Sequence, residues 1–175
     1  MAKVQQFLRI FVDIVLWRRG PQDLPVSGLL LALTIAFYVV VSSVQLALLR
    51  EPAATWIFFI VVDPVLLLAW VWLVLKLFRH GERFLQTATA VFGTGAVLGL
   101  GLYLPLQLIV TAMGQGPASS MAQVFALLLV VAFTLVTGRI IKLATDSNLF
   151  TGIAVSLTYF LVVNSLVGLL HGPVS

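Results

Sequence analysis

Five long apolar runs constrain this chain more than any other feature, at approximately residues 26–49, 55–75, 87–112, 120–138 and 148–170. Each is close to the ~20 residues a helix needs to cross a hydrocarbon core ~30 Å thick. Alternation with period two is missing from them, and lipid cannot satisfy an open sheet edge, so helices are expected. The separators are turn-like: Arg50-Glu51-Pro52, Arg79-His80-Gly81-Glu82-Arg83, Gly114-Gln115-Gly116-Pro117 and Thr145-Asp146-Ser147. Connections this short make consecutive helices antiparallel.

Composition agrees. The chain is 61% hydrophobic and 9% charged over 175 residues, against roughly 45–50% and about 25% in a soluble domain. A water-soluble fold of this size cannot hide that much apolar surface. Soluble enzymes, disulfide scaffolds and disordered tails are excluded, and the absence of cysteine removes thiolate chemistry and Cys-based metal sites.

Basic residues set the expected orientation. Lys3, Arg9, Arg18 and Arg19 precede the first run, Lys76, Arg79 and Arg83 follow the second, and Arg139 and Lys142 follow the fourth. Arg50 alone falls on the other side. The expectation is a multi-pass protein of the cell inner membrane, N-terminus cytoplasmic and C-terminus external, with anionic lipids at the cytoplasmic face. The basic residues follow that rim rather than a nucleic-acid stripe, so no nucleic-acid partner is expected.

Residues 1–20 read as a separate element. Val4, Phe7, Leu8, Phe11, Val12 and Val15 recur with helical spacing, and Trp17-Arg18-Arg19 forms an interfacial anchor before Gly20-Pro21. A signal peptide fits poorly, because Arg9 and Asp13 interrupt the apolar stretch and no small-x-small cleavage site follows. An amphipathic helix on the cytoplasmic leaflet, serving as an anchor or a docking surface, is preferred. Residues 21–175 then form one five-helix transmembrane domain.

Ionisable groups at membrane depth are the usual sign of transport or catalysis. One candidate stands out: Asp63, followed by Pro64, roughly 12 Å below the outer surface at 1.5 Å per residue. Pro64 lacks a backbone donor and frees a carbonyl one turn earlier. A carboxyl beside free carbonyls can bind a proton or cation, or can cap the kink and nothing more; the structural reading is preferred. The same depth reckoning places Gln45, Tyr103, Gln107, Gln123 and Asn164 in the outer half, with Asn164 nearest to Asp63. Such a cluster would serve as a binding site or, as preferred, as hydrogen-bonded glue between helices. Arg139 lies too near the cytoplasmic end to be the counter-ion of Asp63.

The third run carries Gly93, Gly95, Gly99 and Gly101. Gly95 and Gly99 make a GxxxG pattern that lets helix backbones approach, within the chain or in a dimer. It lacks the Lys and the strand–helix context of a phosphate-binding loop. His80 and His171 are expected on opposite sides of the membrane and cannot share a metal. No catalytic set, metal site or cofactor is expected.

The plan of a short N-terminal segment, five spans and an external C-terminus resembles the bacterial-type members of the Yip-domain family. The stretch Phe84-Leu-Gln-Thr-Ala-Thr-Ala-Val-Phe-Gly-Thr-Gly is similar to that family's basic loop leading into a Gln-Thr-containing third span. The plan covers nearly the whole chain, but the motif is short, and the long cytosolic region of the eukaryotic members is missing. The resemblance implies a non-catalytic membrane protein. The expectation is therefore an all-α polytopic bundle, five transmembrane helices plus an N-terminal amphipathic helix, acting without enzymatic activity as a scaffold, assembly or membrane-organising factor alongside other membrane proteins. The alternative is a small transporter or channel subunit using Asp63 and the outer polar cluster.

Overall fold

A computed structural model describes residues 2–49, 52–113 and 118–171. The expected turns at Arg50-Glu51 and at 114–117 lie outside these residues. Six helices and no strand are found among the described residues. They are α1 (Ala2–Val15), α2 (Gly28–Leu49), α3 (Ala53–Leu77), α4 (residues 84–113), α5 (Ala118–Thr145) and α6 (Leu149–His171). Five of them are long and apolar enough to cross a membrane: Gly28–Leu48, Ala53–Leu77, Gly81–Ile109, Leu127–Thr145 and Leu149–Leu169. The protein is an all-α polytopic bundle.

Two boundaries move from their expected places. The fourth span continues beyond Gly138 to Thr145, so Arg139 and Lys142 belong to the last turns of α5. The third begins earlier, with a 3-10 turn at Gly81–Arg83 running into α4. Charged side chains at a helix end carry their heads out to the interface, so charge alone marks a boundary poorly. Local chemistry sets the ends instead. The Leu30 N–H donates to Ser27 Oγ at 3.3 Å and the Thr151 N–H to Asn148 Oδ1 at 2.8 Å, both side-chain caps of a first turn. The chain leaves α1, α3 and α5 through Trp17, Arg79 and Asp146, at φ 65°, 63° and 51°. That left-handed step normally belongs to glycine.

α3 and α4 share one irregularity. Each contains a widened π turn, Phe58–Val62 and Gly99–Tyr103, and each turn is followed by one residue and then a proline. The Asp63 N–H reaches back to the Phe58 carbonyl and the Leu104 N–H to the Gly99 carbonyl. A proline ring collides with the carbonyl four residues before it and offers no donor. An extra residue in the preceding turn moves that carbonyl aside and lets the helix continue.

The core centres on α4, whose residues Thr87 to Thr94 are all buried. Its small side chains let neighbours come close. α1 seats its apolar face on it: Phe11 is 0% exposed, with its ring against Gly93, where no Cβ could fit. Gly93 lies nine residues into α4, about 14 Å along its axis, so α1 packs on the interior of the bundle. The apolar face of α1, through Phe11 and Ile14, is thus part of the buried core. A close backbone approach joins α5 to α6, where the Gly138 carbonyl fills the space a Cβ on Gly152 would need. Leu29, Ile57, Val65, Leu77, Phe150 and Leu169 stay exposed on the outside of the bundle, the surface a bilayer would cover.

Candidate functional site

Three helices bring one carboxyl and two phenols together at the middle of the bundle. Tyr38 on α2, Asp63 on α3 and Tyr159 on α6 each lie ten residues from the first residue of their span, about 15 Å at the helical rise. Half of a ~30 Å hydrocarbon core is the same depth. Asp63 stands at the exit of the π turn, with Pro64 behind it, and its side chain points inward at 3% exposure.

Both oxygens of its carboxyl are engaged. The Tyr38 hydroxyl donates to Oδ2 at 2.7 Å and the Tyr159 hydroxyl donates to Oδ1 at 2.7 Å. Tyr159 also lies 3.3 Å from the Asp63 main-chain carbonyl. Ser42 is buried one turn beyond Tyr38 on the same helix. Ring contacts hold the phenols in place. Tyr38 meets Phe92 edge-on with centroids 5.3 Å apart, and Tyr159 lies 6.0 Å from Trp70. Gly95 is part of this seat, since a Cβ there would stand 3.3 Å from the Tyr38 ring.

Asn164, expected nearest to Asp63, does not turn toward it. Asn164 is exposed and donates to the Phe160 carbonyl of its own helix at 2.8 Å. It follows Tyr159 by five residues, about 140° around an α-helix, so turning Tyr159 toward Asp63 turns Asn164 away. Gln45 is half-buried beside Gly99, at 2.8 Å from the place of a Cβ there. Tyr103 and Gln107 are half-buried further along α4. The side chain of Gln123 lies outside the described residues. Among the glycines, Gly93, Gly95 and Gly99 each carry a neighbour, from Phe11, Tyr38 and Val41 respectively, whereas Gly101 faces open space.

Sequence reasoning passed over Tyr38 and Tyr159, although a signal was present. Both sit at the midpoint of their runs, at the depth of Asp63, and phenols are the side chains best suited to meet a buried carboxyl while resting on apolar neighbours. Gly138 and Gly152 were also missed. They stand at similar distances on either side of the Thr145–Ser147 turn, where the two arms of a helical hairpin face each other.

The arrangement can hold three helices in register through two short hydrogen bonds, and it places a titratable group in the buried middle of the bundle. Arg139 plays no part, for it donates to the Arg19 carbonyl at 3.1 Å and stacks over Trp17. No protein-family model matches the chain, and neither a curated protein nor a solved structure matches it.

Proposed function

We propose that this protein is a non-enzymatic, multi-pass membrane protein that works as a scaffold, assembly or membrane-organising factor, as its resemblance to the Yip-domain family implies. The observation that carries the reading is the closed Tyr38–Asp63–Tyr159 clamp. A carboxyl whose two oxygens each accept from a phenol of a different helix, at 2.7 Å, and which is 3% exposed, ties three helices of the bundle together. In this reading the protein resides in the cell inner membrane with its basic end in the cytoplasm, where anionic lipids lie against it.

A second reading, a small transporter or channel subunit, is favoured by one observation. The clamp adjoins a π turn and a proline, and π turns gather at functional positions. Affinity purification from native membranes, followed by mass spectrometry, separates the two. Scaffolding predicts a reproducible set of co-purifying membrane proteins, retained by Asp63→Asn. A proton or cation flux in reconstituted vesicles, abolished by Asp63→Asn in a fully folded protein, would overturn it.

A further inference from the structure

At the basic end of the bundle an open cavity of about 270 Å³ lies between the Pro21–Asp23 turn, the start of α4 and the end of α5. Arg83 and Asp146 face each other across its wall, with Arg83 Nη2 and Asp146 Oδ2 2.9 Å apart. Gln22, Gln86 and Thr87 supply further polar wall, and Pro21 and Leu143 the apolar remainder. Arg83 is held in place by the Leu143 and Ala144 carbonyls at 3.3 and 3.2 Å, a cation at the negative end of α5. Gln86 is anchored through Nε2 to the Leu24 carbonyl at 2.7 Å. The cavity thus has fixed walls and both signs of charge.

We infer that this cavity binds the phosphoethanolamine headgroup of a zwitterionic phospholipid, with the phosphate on Arg83 and the primary ammonium on Asp146. Size comes first. At about 270 Å³ the cavity lies just under the ~300–1,000 Å³ of pockets that bury drug-sized ligands, which suits a headgroup. Charge comes second. A purely anionic headgroup would face the Asp146 carboxylate, whereas a zwitterion satisfies both partners when it separates them. The third argument is the nature of the wall. Quaternary ammonium groups are recognised by aromatic faces, and no aromatic residue lines this cavity among the described residues. Its carboxylate, amide and hydroxyl oxygens accept N–H donors, which an ammonium has and a choline lacks. Position supplies the fourth. The cavity lies at the end of the bundle where the five spans begin or end, and Leu77 and Phe150 at the same end are exposed, as residues against acyl chains would be.

The test uses the full chain purified in detergent and native mass spectrometry with phosphatidylethanolamine, phosphatidylcholine and phosphatidylglycerol at equal concentration, and with free O-phosphoethanolamine. A charge-assisted hydrogen bond is worth enough for about a tenfold preference for phosphatidylethanolamine over the other two. Asp146→Asn keeps a residue type that accepts the left-handed backbone at φ 51°, and should reduce the preference over phosphatidylcholine to less than about twofold. Gln22→Ala, at an exposed position, should weaken phosphatidylethanolamine binding in a protein of unchanged melting temperature, and decides the matter if Asp146→Asn does not fold. Equal binding of phosphatidylethanolamine and phosphatidylcholine, or a preference that survives in both variants, would overturn the proposal. Binding of free O-phosphoethanolamine without binding of the lipid would overturn the lipid as the source.

Discussion

Replacing Gly152 by alanine adds one methyl group where the backbones of α5 and α6 meet. The new Cβ would overlap the Gly138 carbonyl oxygen and stand 3.1 Å from the Lys142 nitrogen. Both are backbone atoms of α5, so no side chain can swing away, and relief requires the two helices to separate. Overpacking costs about 1–3 kcal/mol where neighbouring side chains can yield. Here the upper end, about 3 kcal/mol, is expected even after the gain of up to about 1 kcal/mol that alanine brings to a helix over glycine. At about 2–4 °C per kcal/mol for a chain of this size, the melting temperature should fall by about 6–12 °C. Gly101→Ala is the internal control, because nothing lies within 4 Å of its Cβ position, and it should be neutral or slightly stabilising. The assay is thermal unfolding in detergent, followed by the far-ultraviolet helical signal. Equal melting temperatures for Gly152→Ala and Gly101→Ala would refute close packing of α5 on α6.

Phe11→Ala should cost about 3–5 kcal/mol, the range for a fully buried aromatic side chain, and detach α1, seen as rapid amide exchange over Ala2–Val15. The Arg83 guanidinium hydrogen-bonded to Asp146 holds that carboxyl below its usual range. Its contribution to stability is therefore present above the ordinary aspartate value of about 3.9 and lost as pH falls through the lower value it takes in the folded protein, so wild type and Asp146→Asn should differ at neutral pH and converge in melting temperature in acid. Reporter fusions after Gly20 and after Pro173 should report opposite compartments; the same compartment at both ends would contradict five spans.

The parts of this structure that the sequence makes legible are those set by solvent. Hydrocarbon demands about 20 apolar residues per crossing, and all five spans are visible from that demand alone. What escapes is everything set by rotation about a helix axis. The runs are apolar nearly all round, so nothing in α6 says that Tyr159 rather than Asn164 faces Asp63. The amphipathic pattern of α1 is equally explicit about having an apolar face and silent about its occupant; Phe11 meets Gly93. Glycine spacing shows a similar limit. The GxxxG pattern at Gly95 and Gly99 rests under side chains of α2, while the backbone contact is made by Gly138 and Gly152, which share no motif because they lie on different helices. The turn-like residues around Asp146 do mark the end of α5, but only the structure shows Arg83, 63 positions earlier, closing that end. Pairing over such a separation is a tertiary property.

The central claim is that the Asp63 carboxyl is a structural tie between α2, α3 and α6, and a double-mutant cycle on thermal unfolding in detergent tests it most directly. Tyr38→Phe, Tyr159→Phe and Asp63→Leu remove the partners singly and in pairs. Each phenol should couple to Asp63 by about 0.6–1.7 kcal/mol, the range for hydrogen bonds between transmembrane helices. Asp63→Asn should stay close to wild type in stability, since its amide can accept from one phenol and donate to the other. Coupling indistinguishable from zero for both tyrosines, with Asp63→Leu as stable as wild type, would contradict the claim.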